Sequence, residues 1–224
     1  MRRVTYWGLG SVLILFAFSA VVPGSEVAWA QTEDLFLARV ATENHATMHY
    51  AQASESHGRW IAPDVYYIDF GSNLYREVGA GGGATLFHSS RFAAQAEAYI
   101  DQALGPASRS ALYLVPYVQL NYRFSSRVAA ETVYFPYFPL NQAGRIQNVL
   151  ERAKVEYLFS RLKIGAGYGG YQAGDQNWQN KPFLTATLRG RALGDLEFWL
   201  QRLPGNRFQA QVRYHLLYKH PPKQ

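Results

Sequence analysis

The stretch Arg109–Phe124, RSALYLVPYVQLNYRF, decides the fold. Taken at every second residue it separates into two sets. One is Leu112, Leu114, Pro116, Val118, Leu120, Tyr122 and Phe124; the other is Tyr113, Val115, Tyr117, Gln119, Asn121 and Arg123. A period of two means a β-strand with one apolar and one polar face. A strand of a water-soluble domain needs about five or six residues. This alternation runs roughly twice as long, and a tilted membrane-spanning strand needs about 9–11. The apolar set holds no charge and ends in Tyr122 and Phe124, where an aromatic girdle belongs. These features predict one stave of a transmembrane β-barrel.

The same period recurs on both sides. Asp64–Gly71 sets Tyr66, Ile68 and Phe70 against Tyr67 and Asp69. Leu74–Phe87 places Glu77, Gly79, Gly81, Gly83 and Thr85 on its polar face. Its Gly81-Gly82-Gly83 run lacks the following helix and lysine of a phosphate-cradling loop, so it predicts close approach within a strand. Arg91–Ala103 turns Gln95, Glu97, Tyr99 and Asp101 inward, and Arg127–Phe138 turns Arg127 and Glu131 inward. Asn148–Ser160 contributes Arg152, Lys154 and Glu156; a helix is the runner-up over Ile146–Phe159, but the Val155–Phe159 alternation favours a strand. Leu162–Tyr171, Phe183–Ala192, Leu196–Arg202 and Arg207–Lys219 complete ten predicted strands. An even number is what bacterial single-chain barrels require. Reversals near 89, 125, 161 and 194 are tight, whereas those near 105, 143, 176 and 205 include the two long ones. Phe87, Phe92, Tyr122, Phe124, Tyr157, Phe159 and Tyr218 are expected at the tight-turn edge. Tyr134, Tyr137, Tyr168, Trp178, Phe183 and Phe208 are expected near the other.

Composition narrows the compartment. The formal net charge of +6 suits an anionic partner, but charged residues are only 17% and the Lys and Arg are scattered, which argues against nucleic acid. The absence of Cys excludes a disulfide framework and a lipoprotein anchor. A mean hydropathy of −0.20 excludes a helical membrane bundle and is compatible with half-polar barrel strands. At the N-terminus, Arg2 and Arg3 precede an apolar run over Tyr6–Val22, and Ala28-Trp29-Ala30 supplies small residues at the cleavage positions. This predicts a signal peptide over 1–30, with cleavage before Gln31. Residues 31–62 are expected to be a separate periplasmic or plug segment, or additional strand material. His45 and His49 would share a helix face there, but solvated polar histidines are the favoured reading. The barrel is assigned to 63–219 and a tail to 220–224.

From about Asp64 to Tyr218 the chain resembles small outer-membrane β-barrel proteins as a general class. Its last strand, Val212–Tyr218, is similar to their C-terminal assembly signal, with alternating apolar residues ending in an aromatic. Six residues follow that aromatic, and the usual upstream glycine is missing. The resemblance implies an all-β, closed, antiparallel up-and-down transmembrane barrel in the cell outer membrane. It also implies outer-membrane lipid and the barrel-assembly machinery as partners, and a monomer.

Function is sought on the polar face. The predicted lumen-lining set is Glu77, Glu97, Asp101, Gln119, Arg123, Arg127, Glu131, Arg152, Lys154, Glu156, Arg189, Arg191, Glu197, Arg213 and His215. So many charges must pair or line water. Small barrels are filled by side chains, so an ion-paired, structural or narrow pore-forming lumen is expected. A soluble periplasmic barrel carrying a lipid, with the apolar face inside, is the first alternative. An outer-membrane lipid-modifying enzyme is the second, for which His88-Ser89-Ser90 and an inward His215 paired with Glu97 or Glu131 are the available groups. No cofactor, metal site or convincing catalytic set is expected.

Overall fold

The computed structural model describes residues 32–43, 46–71, 75–105, 111–141, 144–190 and 193–220. The predicted signal peptide, His45 and Arg191 lie outside them. Twelve strands form one closed antiparallel barrel in which each pairs with its sequence neighbours. They are β1 (Thr32–Glu43), β2 (Ala46–His57), β3 (Trp60–Asp69), β4 (Arg76–His88), β5 (Phe92–Ala103), β6 (Leu112–Arg123), β7 (Val128–Pro139), β8 (Gln147–Leu158), β9 (Leu162–Ala173), β10 (Gln179–Gly190), β11 (Gly194–Leu203) and β12 (Arg207–Lys219). The stretch first read as a stave is β6, and the alternative helix over 146–159 is strand β8.

The expected ten strands are all present, and the count is corrected to twelve. The additional pair is β1 and β2, so the described residues of this segment, 32–43 and 46–62, are the additional strand material and not a separate plug or arm. The boundary placed at 62/63 falls inside β3. β1 closes the barrel by pairing Glu33–Thr42 with Lys219–Ala210 of β12, and His220 N–H reaches the carbonyl of Thr32 at 2.9 Å. The reason for the miss is physical. β1 carries leucine on its inner face (Leu35, Leu37) and Phe36 and Val40 on its outer face, so no polar–apolar period survives. β2 shows only Ala51 and Ala53 between His49 and Glu55 on its outer face. His49 and His57 therefore sit on a strand and not on a helix face.

The two ends of the barrel differ. The start of β1, the end of β12 and the links β2–β3, β4–β5, β6–β7, β8–β9 and β10–β11 belong to one end; the other six links belong to the opposite end. The turns at the first end never exceed four residues, while the second end reaches eight. The outer face between them is apolar. Phe36, Val65, Val78, Ile100, Leu120, Val155, Ile164, Leu184, Phe198 and Val212 are all large and exposed. Among the described residues, outward charges appear only near strand ends, as with Asp34, Glu55, Asp69, Arg76 and Arg202. At the short-turn end, outward aromatics pair as Phe87–Phe92, Tyr122–Phe124 and Tyr157–Phe159, with ring centroids 5.5, 4.8 and 4.8 Å apart. At the opposite end Trp178 Nε1 donates to the Tyr168 hydroxyl at 2.7 Å. Two aromatics expected at that edge instead face inward: Tyr137 joins an internal ring cluster, and Phe183 stacks on Trp199 at 4.0 Å.

Candidate functional site: the polar lumen

The inner face is built from alternate residues of every strand, and its charges fall into two walls. The first runs over β7, β8, β11, β12 and β1. Lys154 Nζ lies 3.3 Å from Glu131, 3.0 Å from Glu156 and 2.7 Å from Glu197. Arg152 binds Glu131 at 2.6 Å and also Glu151. Glu151 further receives Arg39 at 2.6 Å and Arg213 at 3.2 Å. Four cations thus meet four carboxylates, and the cluster is neutral. That balance matters because isolated buried ions are costly. Trp199 lies under it, with the Arg213 guanidinium 3.7 Å from its ring centroid.

The second wall runs over β2 to β7 and holds its acids with hydroxyls and amides in place of cations, leaving one buried oxygen of Asp101 without a hydrogen bond. The Tyr66 hydroxyl lies within hydrogen-bond distance of both Glu77 and Asp101, and Glu77 also accepts from Tyr75 and from Tyr137 at 3.1 Å. The Tyr99 hydroxyl lies 3.0 Å from Asp64 and 2.8 Å from Glu97. Gln52 donates to both oxygens of Asp64, at 3.0 and 2.9 Å, and Gln95 donates to Glu97 at 2.6 Å. The rings form a continuous chain, Tyr50–Tyr66–Tyr99–Tyr117–Phe135–Tyr137–Tyr113, with neighbouring centroids 5.5–6.2 Å apart. Glycine makes the room for it. A Cβ on Gly79 would fall 2.3 Å from the Tyr66 ring and from Asp101 Oδ1, and one on Gly167 would fall 2.5 Å from the Phe183 ring.

The sequence-predicted residues sort accordingly. Glu77, Glu97, Asp101, Glu131, Arg152, Lys154, Glu156, Glu197 and Arg213 all enter these networks. Gln119 joins them, donating to Glu131 at 3.1 Å. His215 also faces inward, but its nearest carboxylate is Glu197 at 3.8 Å rather than Glu97 or Glu131. Arg123 and Arg189 lie exposed at the short-turn end. Arg127 is corrected: it sits in a turn and donates to the outward Tyr157 hydroxyl at 3.2 Å, so it does not line the lumen. The expectation missed Arg39, Asp64 and Glu151. Arg39 lies on the unrecognised β1. Asp64 stands at the start of the strand predicted over Asp64–Gly71, where its face is not marked by the alternation. Glu151 faces inward because a bulge between Leu150 and Ala153 breaks the alternation and leaves both Glu151 and Arg152 inside.

A cavity of about 1020 Å³ opens at the short-turn end, where Ser89, Ser90, Arg91 and Arg123 edge it. It deepens to Tyr66, Tyr137 and Arg152. Glu77, Asp101, Tyr75, Tyr113, Phe183 and Trp199 lie beyond it toward the long-loop end and do not line it. The Ser89 hydroxyl is engaged in its turn, accepting from the backbone N–H of Phe92 at 3.0 Å and of Arg91 at 3.3 Å. An interior of this polarity is the reverse of the apolar interior that a soluble lipid carrier needs. Among the described residues no group of three or more His, Asp or Glu is placed to hold a metal ion.

No family model matches the sequence, and no curated protein matches it. Solved structures do share the fold. The KdgM porin superposes with a TM-score of 0.59 at 10% identity, over 82% of this chain and 98% of that one. The NanC porin gives 0.58 at 10% identity, over 84% and 100%. An outer membrane channel from Pseudomonas putida F1 gives 0.54 at 12% identity, over 88% and 100%. In architecture the chain is similar to small outer-membrane, porin-like β-barrels.

Proposed function

We propose that this chain is an integral outer-membrane protein whose lumen is a narrow channel held shut by its own side chains. The carrying observation is the inversion of polarity: an apolar outer belt between two aromatic edges, around a charged, hydrogen-bonded interior. A water-soluble barrel would bury the belt and expose the charges. The likeness to porins supports a channel, and the packing of Tyr75, Glu77, Asp101, Tyr113, Phe183 and Trp199 beyond the cavity supports a closed resting state. In this reading a signal peptide is removed before Gln31, the barrel-assembly machinery inserts a monomer, and the short turns face the periplasm.

Planar-bilayer recording tests the reading. The purified protein should insert and carry little or no steady current. Large, stable current steps from the unmodified protein would overturn the closed lumen and leave an open porin.

A further inference from the structure

The short-turn rim has a repeat that a closed channel does not require. At four successive turns the residue immediately before the next strand is arginine: Arg59 before β3, Arg91 before β5, Arg127 before β7 and Arg161 before β9. Each plays the same backbone role. Its carbonyl accepts an N–H from the strand after the one it introduces: Thr85 of β4 for Arg59, Arg123 of β6 for Arg91, Leu158 of β8 for Arg127 and Arg189 of β10 for Arg161, at 2.7–2.9 Å. The backbone role needs no arginine, so the side chains require a separate explanation.

Two features of the rim supply one. First, its charge is segregated. Residues 58–61, 86–93, 121–129, 157–163 and 188–190 contain Arg59, Arg91, Arg123, Arg127, Arg161, Lys163 and Arg189 but no Asp or Glu. The acids of this end, Glu33, Asp34, Glu55 and Asp195, lie on β1, β2 and β11, and each already has a basic partner in Lys219, His220, His57 or Lys163. Second, two of the arginines stand against outward aromatics. The Arg59 guanidinium lies 4.7 Å from the ring centroid of Trp60, and Arg127 Nη1 donates to Tyr157. Arg161 is exposed two residues along the chain from Phe159, itself 49% exposed. Aromatics at a membrane edge mark the headgroup level, which puts these guanidiniums at the depth of lipid phosphates.

We infer that Arg59, Arg127 and Arg161 form a collar that binds the phosphates of anionic phospholipid in the leaflet at the short-turn end. The collar rests on the membrane reading above. Guanidinium suits phosphate because its fork of N–H donors engages two oxygens together. Arg59 and Arg91 both edge the cavity; Arg59 stays in the collar because its guanidinium lies over the outward Trp60, and Arg91 is left out of the test.

The test uses Trp60 as a reporter in the mature chain carrying Trp178→Phe, since Trp199 is buried in the lumen. The protein is reconstituted in equimolar phosphatidylcholine–phosphatidylglycerol vesicles, with one lipid or the other brominated on its acyl chains. Phosphatidylglycerol should quench Trp60 several-fold more strongly than phosphatidylcholine, given about a fivefold preference for each arginine at an anionic surface. High salt should erase the preference in the unsubstituted arginine background. Arg59→Gln with Arg127→Gln and Arg161→Gln should abolish it, and the corresponding triple lysine variant should keep most of it. Equal quenching by the two lipids at low salt, or a preference that survives the glutamine variant, would overturn the collar while leaving the membrane barrel intact. Failure to insert into either vesicle would overturn the membrane reading and the collar with it.

Discussion

The two walls of the lumen hold the same kind of group, a buried carboxylate, and satisfy it differently. On the β7–β12 side Glu131, Glu151, Glu156 and Glu197 are met by Arg39, Arg152, Lys154 and Arg213. On the β3–β5 side Asp64, Glu77, Glu97 and Asp101 are met by tyrosine hydroxyls and glutamine amides. The difference sets how each wall responds to damage. A cation shared by several acids is a single point of failure, because its loss strands several charges together. A phenol hydroxyl is one neutral donor among several, and its ring still fills the same space when the oxygen is removed.

The largest effect is expected from Lys154→Met. The methionine keeps most of the volume, but Glu131, Glu156 and Glu197 lose a common partner. Breaking a buried pair from one side costs about 3–5 kcal/mol, and the urea midpoint of the protein refolded into detergent should fall accordingly. A smaller effect is expected from Tyr99→Phe, which takes one donor from Asp64 and Glu97 while Gln52 and Gln95 remain. A buried acceptor left unsatisfied costs about 1–3 kcal/mol. If Tyr99→Phe proved as damaging as Lys154→Met, the distinction between the walls would collapse.

The same contrast explains how much could be read beforehand. The ion-paired wall was legible because Arg152, Lys154, Glu156 and Arg213 alternate with apolar residues on β8 and β12, and charge at a period of two is a clear signal. The tyrosine wall was half-legible. Glu77, Glu97 and Asp101 stood at inward positions, but tyrosine is common on both faces of such a barrel, at the girdle outside and in the cluster inside, so composition did not tell Tyr137 from Tyr134. Strands β1 and β2 were illegible because neither has one apolar and one polar face. Glu151 was hidden by a bulge, which shifts the face of a residue without any mark in the pattern around it.

The face assignment itself is the claim on which both walls, the closed channel and the membrane belt depend. Val118 and Gln119 are neighbours in the middle of β6; Gln119 bonds to Glu131 in the lumen, while Val118 pairs across the outer face with Ala96 and Tyr134. The chain contains no cysteine, so Val118→Cys and Gln119→Cys each create one labelling site. The most direct measurement is quenching of a small fluorophore at each site by brominated acyl chains after reconstitution. The account predicts strong quenching at position 118 and little at 119. Strong quenching at 119 with none at 118, or none at either in inserted protein, would contradict it.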